Sequence, residues 1–121
     1  MEGLENLTKE EVMEMIKDFP LKPLFNNVII TSNVVEVDED EIENPVKMFS
    51  ERQYVLAVGS HIRDIEPGDE VLLNLEKMME QRSSTTNSYE ITGQLKLKPI
   101  DVEDRVFAMI EDRKIDAVYN S

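Results

Sequence analysis

The sequence predicts a mainly β fold, a small β-barrel preceded by an added N-terminal helix. Three observations indicate this class: short apolar runs rich in β-branched residues, turn signals at close intervals, and a helical pattern confined to residues 1–20. A chain of 121 residues is typical of one domain with a modest core. We therefore expect a helical extension at residues 1–20 and a single β domain at residues 21–121.

The N-terminal helix is predicted from its capping pattern. Thr8 and Glu11 have the spacing of a capping box, and Pro20 ends the helical pattern. The apolar stripe of this helix consists of Val12, Met13, Ile16 and Phe19. Because so short a helix is not stable alone in water, it must pack on its own domain or on a neighbouring molecule.

The β domain is predicted from short apolar runs that suit strands. These runs lie at residues 28–31, 53–58, 70–74, 106–110 and 115–119. A turn at Pro67-Gly68-Asp69 precedes the third run, with Gly68 at positive φ and Asp69 bonded to nearby backbone amides. Alternation along the strands predicts an inward-facing core. Its predicted members are Val28, Ile30, Val55, Ala57, Val71, Leu73 and Phe107.

Two insertions are expected in the β domain. The first is a long acidic loop at about residues 34–52, in which six of the eight positions from 36 to 43 are acidic. The second is a loop or hairpin at about residues 75–93. It begins with apolar residues at helical spacing and continues through a polar stretch, residues 83–88, that has no apolar side chain.

Composition excludes several classes of partner. The formal net charge of −13 argues against a nucleic acid or an anionic membrane surface, since both require clustered lysine and arginine. The chain has no cysteine, and therefore no disulfide or thiol chemistry. It shows neither a signal-peptide pattern nor an apolar stretch near the about 20 residues that span a membrane. We expect a cytoplasmic protein.

The sequence contains few residues in patterns that are typical of catalytic sites. His61 is the single histidine, and we interpret it as an exposed loop residue at a strand end rather than a general base. The four glycines are isolated, so no phosphate-binding loop is present. The acidic run lacks the glycine and the spacing of a calcium loop. The sequence predicts a protein that is not an enzyme, with no cofactor and no metal.

The order of several short patterns resembles the GroES-type co-chaperonins over about residues 23–119. The patterns are Pro23-Leu24 before the first strand, Val55-Leu56-Ala57-Val58-Gly59, Gly68-Asp69 before Val71-Leu72-Leu73-Asn74, and Ile115-Asp116-Ala117-Val118 at the end. The resemblance implies a GroES-like barrel in a homo-oligomeric ring that caps a chaperonin and assists protein folding.

The resemblance also implies a partner-binding segment. In the family, the loop after the first strand carries a glycine pair and an apolar tripeptide that grips the chaperonin. Between Asn33 and Gln53 this chain has no glycine. Its nearest substitute is Val46, Met48 and Phe49, beside Ile42 in the acidic run. These four residues are the predicted partner-binding site.

A second function fits the same sequence. The departures from the family pattern, which are the N-terminal helix, the missing glycines and the long second insertion, also suit a phage virion structural protein. Such a capsid-decorating or head-associated component would use the acidic loop and the helix to hold the domain on viral capsid proteins. The protein would then be found in the host cytoplasm or the virion.

Overall fold

The computed structural model describes residues 6–37, 46–78 and 98–119, which form a mainly β fold with an N-terminal helix, as predicted. Residues 89–97, whose alternating apolar side chains also predict one or two strands, lie outside these residues, as do the polar stretch at 83–88 and Ile42. The helices are α1 (Lys9–Lys17) and α2 (Leu75–Met78). The strands are β1 (Asn27–Ile30), β2 (Val34–Val37), β3 (Val46–Phe49), β4 (Arg52–Val58), β5 (Glu70–Leu73), β6 (Lys98–Val102), β7 (Arg105–Glu111) and β8 (Ile115–Val118).

Six strands form one antiparallel sheet in the order β6-β7-β1-β4-β5-β8, while β2 and β3 form a separate two-stranded sheet. Strand β4 is shared between two halves of the large sheet: its first residues pair with β5 and its later residues pair with β1. Within the described ranges, β6 and β8 each have one neighbouring strand. The sheet is therefore open rather than the closed barrel that we expected.

Helix α1 packs on its own domain. The capping box is present, because the Glu11 amide donates to Thr8 Oγ1 at 3.2 Å and the Thr8 amide donates to Glu11 Oε1 at 2.9 Å. Val12 is fully buried, and the ring of Phe19 meets Phe107 edge-on with 5.4 Å between centroids. Of the two packing alternatives, the structure shows the intramolecular one.

The large sheet is buried on both faces. On one face lies a cluster that we call the sheet core, formed by Val28, Ile30, Val55, Val71, Leu73, Met78, Ala108 and Ile110. On the other face lies the helix-covered cluster, formed by Leu7, Val12, Ile29, Leu56, Val102 and Phe107. Five predicted core residues lie together in the sheet core, as expected. Phe107 is fully buried, as predicted, but on the opposite face, and the predicted inward orientation is wrong for Ala57, which also lies towards that face.

A β-bulge explains the error at Ala57. Ile29 pairs with Ala57 while Ile30 pairs with Val55, so Leu56 is an extra residue in β4. Leu56 and Ala57 consequently both lie towards the helix-covered cluster, whereas simple alternation would separate them. For Phe107 the alternation itself is regular, and its neighbour Ala108 belongs to the sheet core. The prediction assigned Phe107 to the wrong face of β7, because it assumed one buried face and α1 covers a second one.

The turns agree only partly with expectation. Gly68 has φ of 97°, and Asp69 Oδ2 accepts a hydrogen bond from the Glu66 amide at 2.9 Å, as predicted. The hairpin between β6 and β7 was not predicted. Its two central residues, Glu103 and Asp104, have φ of 51° and 71°, the signs that a type I′ turn requires. The usual Asn-Gly signal is absent there.

No helix among the described residues combines the length and the apolar character needed to cross a membrane.

Candidate partner-binding hairpin

Strands β2 and β3 form a hairpin in the segment that was expected to be a loop. The register pairs Val34 with Phe49 and Val35 with Met48. Valine is abundant in these strands, and β-branched side chains favour extended backbone. Residues 38–45, which include most of the acidic run and Ile42, lie outside the described residues.

The two faces of the hairpin differ in exposure. Phe49 is half-buried and packs against the sheet core. Val35 and Met48, which lie opposite each other in the ladder, are 46% and 49% exposed. Side chains directly opposite in an antiparallel pair share a face and lie close together. Val35 and Met48 therefore form one outward apolar patch, which we call the hairpin patch.

The predicted site residues have different places in this hairpin. Met48 belongs to the hairpin patch, Phe49 anchors the hairpin on the sheet, and Val46 lies in β3 opposite Val37. Ile42 lies outside the described residues. Val35 was missed. Its sequence signal was a valine run before the acidic residues, but its place beside Met48 follows only from the strand register.

The base of the hairpin is fixed by the side chain of Gln53, which is fully buried in β4. Gln53 Oε1 accepts from Thr31 Oγ1 at 2.6 Å and from the Asn33 amide at 2.8 Å. Gln53 Nε2 donates to the carbonyl of Asn33 at 2.9 Å and to the carbonyl of Ser50 at 2.8 Å. The amide group thus bonds to the chain just before β2 and just after β3, and it uses its full hydrogen-bonding capacity.

The Arg52 side chain, beside the hairpin base, is bound by residues of the large sheet. Arg52 Nε donates to Glu70 Oε2 at 3.0 Å, and the guanidinium lies 4.1 Å from the centroid of the Tyr119 ring. The hydrogen bond to Glu70 raises the pKa of the Arg52 guanidinium above its usual value. Arg52 therefore connects β4, β5 and the residue after β8.

The other candidate functional groups of the described residues lie apart from the hairpin. His61 is exposed, and its ring meets Phe25 with 5.4 Å between centroids. An open cleft of about 560 Å³ lies between residues 61–65 and β8. In the part of the chain that the structure describes, no three histidine, aspartate or glutamate side chains are grouped so that they could hold a metal ion.

A scan against protein-family models gives no match for this chain, and no curated protein matches it. The resemblance to co-chaperonins depends on the order of short sequence patterns between residues 23 and 119 and remains a prediction.

Proposed function

We propose that the chain is a partner-binding protein of the co-chaperonin type, a subunit of a ring that caps a chaperonin, and that the hairpin patch makes the contact. The observation that supports this most is the hairpin itself. It pairs with no strand of the large sheet in the described ranges, it follows the first strand of the domain, and it carries an outward apolar pair. The order of co-chaperonin-like patterns supports the same function.

The size of the hairpin patch implies weak binding by each subunit. Burying a whole valine or methionine side chain contributes about 1.5–3 kcal/mol, and both side chains here are already about half covered. Each would therefore contribute on the order of 1 kcal/mol when it docks. Several copies in one ring would convert such contacts into useful avidity. A homo-oligomer is thus part of the proposal.

The partner surface should be an apolar groove with basic residues nearby. The chain carries a formal net charge of −13, and its densest acidic run connects β2 to β3. Exposed charges are screened over about 10 Å at 0.1 M salt, so this contribution should fade as salt rises while the apolar contact persists. The acidic run then accelerates and orients the encounter, and the hairpin patch holds the complex.

Imaging of the purified protein tests this function. Negative-stain images of the protein alone should show rings, and images with a chaperonin and ATP should show capped particles. Sedimentation of the mixture should bring the two proteins down together. A protein that neither forms rings nor binds a chaperonin contradicts the proposal, and its presence in purified virions would support the structural function instead.

A further inference from the structure

The segment before α1 lies against the base of the hairpin. Asn6 Nδ2 donates to the Val34 carbonyl at 2.9 Å, and the Val34 amide donates to Asn6 Oδ1 at 2.9 Å. The Leu7 amide donates to Asn33 Oδ1 at 2.9 Å, and Asn33 Nδ2 donates to the Leu7 carbonyl at 3.0 Å. Each asparagine amide therefore bonds to both backbone groups of one residue in the other segment, as a neighbouring strand would.

The same segment is continuous with the docked helix. Thr8 caps α1, and Leu7 is 7% exposed within the helix-covered cluster. Three consecutive residues thus connect the hairpin base to a helix that is held on the sheet by burial of Val12. Movement of the hairpin at Val34 would have to break the Asn6 bonds or shift the helix start.

Asn33 is held from two sides. Its side chain bonds to Leu7, while its backbone amide and carbonyl bond to Gln53. The Ser50 amide also donates to the Asn33 carbonyl, at 2.9 Å. The residue immediately before β2 is therefore fixed to the N-terminal segment, to β4 and to the chain after β3.

We propose that Asn6 and Asn33 are positioning residues through which the docking of α1 sets the direction of the β2–β3 hairpin relative to the large sheet. The helix and the hairpin then move as one unit. A hairpin that is already oriented loses less conformational freedom when it docks, so the coupling would strengthen binding. This consequence rests on the proposed function. The coupling itself is a property of the free protein.

Spin-label distances in the free protein test the coupling. The chain has no cysteine, so Lys47→Cys in β3 and Asp101→Cys in β6 introduce two unique labelling sites. Asn6→Ala removes two exposed hydrogen bonds and should leave the fold intact. We expect the label-to-label distance distribution to broaden at least about twofold in this variant, because the hairpin gains freedom at its base.

Two further variants complete the test. Asn33→Ala should broaden the distribution in the same way, because it removes the two side-chain bonds to Leu7. Its backbone bonds to Gln53 remain, so the fold should be kept. Asn26→Ala is the matched control: it removes a side-chain hydrogen bond to Asp112, at 3.3 Å, that involves no hairpin residue, and it should leave the distribution unchanged. A distribution in Asn6→Ala that matches the control overturns the proposal.

A substitution in α1 tests whether the helix itself orients the hairpin or whether Asn6 and Asn33 act only at the hairpin base. Val12→Ala weakens the docking of α1 without touching the hairpin, and it should also broaden the distribution, measured well below the melting temperature. If Val12→Ala leaves the hairpin as ordered as in the wild type, the helix does not set its direction. None of these measurements needs a partner, so failure to bind a chaperonin would overturn the proposed function and leave the coupling standing.

Discussion

The six-stranded sheet and the β2–β3 hairpin are both antiparallel, yet different contacts hold them. The sheet is buried on both faces, by the sheet core on one side and by α1 on the other. In the hairpin, Phe49 is half-buried against the sheet core, and the base is fixed by the amide groups of Gln53 and Asn33. On its other face, Val35 and Met48 form the exposed hairpin patch.

This difference separates stability from binding. Changes in the sheet should alter the free energy of unfolding, because they remove buried contacts. Changes at the hairpin base should alter both stability and hairpin direction. Changes in the hairpin patch should alter binding and leave stability nearly unchanged.

Phe107→Ala should produce the largest loss of stability. The side chain is fully buried in the helix-covered cluster, and truncation of such a phenylalanine costs about 3–5 kcal/mol. Phe25→Ala is the matched control, because this phenylalanine is 58% exposed and should cost far less. Chemical unfolding of the two variants measures the difference. Equal losses would contradict the burial of Phe107 beneath α1.

Gln53→Leu should produce the next largest effect. The substitution places an apolar side chain of similar size in the same position. The carbonyls of Asn33 and Ser50 then lose the hydrogen bonds that Gln53 Nε2 donates. Each buried polar group that loses its partner costs about 1–3 kcal/mol. Thr31→Val removes two bonds, the one that the hydroxyl donates to Gln53 and the one that it accepts from the Tyr54 amide at 3.0 Å, and should cost less than the loss of all four Gln53 bonds. Unfolding midpoints that rank the two variants in the opposite order would contradict the central role of Gln53.

Gly68→Ala should destabilise the protein by about 1–2 kcal/mol, because a residue with a Cβ is strained at φ of 97°; Gly68→Val should cost at least as much. An added Cβ would also lie 2.8 Å from Met13 Sδ, at the flexible end of that side chain. A double-mutant cycle with Met13→Ala separates the two causes. We expect the cost to persist in the Met13→Ala background. If it disappears, steric contact rather than backbone strain explains it.

Asp104→Gly should have the smallest effect, and it should be stabilising. Asp104 has φ of 71° in the β6–β7 turn, where glycine carries no Cβ penalty. We expect a gain below about 1 kcal/mol, because part of the relief is offset by the greater freedom of glycine in the unfolded chain. Asp101→Gly, in the neighbouring strand, should be destabilising. Thermal melts that move in the same direction for both variants contradict the turn assignment.

The sequence was sufficient where one local rule decides the structure. Thr8 and Glu11 predicted the helix start, Gly68 predicted its own positive φ, and strands β1, β4, β5 and β7 follow from apolar runs. It failed where two parts of the chain must meet. The extra residue at Leu56 is defined by the register against β1, and the burial of Phe107 requires α1 on the second face.

The candidate site shows the same division. Met48 was found from its apolar character beside the acidic run, whereas Val35 joins it only because β2 and β3 pair in one register. Phe49 has the same apolar character but packs inward. Composition cannot distinguish an anchor from a contact residue. The paired strands make that distinction through the face on which each side chain lies.

The most direct test of the account is a double substitution of the hairpin patch, Val35→Ser with Met48→Ser. We measure its melting temperature and its sedimentation with a chaperonin in the presence of ATP, beside Phe25→Ser as a control for loss of an exposed apolar side chain elsewhere. We expect nearly unchanged melting temperatures for both variants, retained binding for Phe25→Ser, and lost binding for the double variant. Binding of the folded double variant at the wild-type level would contradict it.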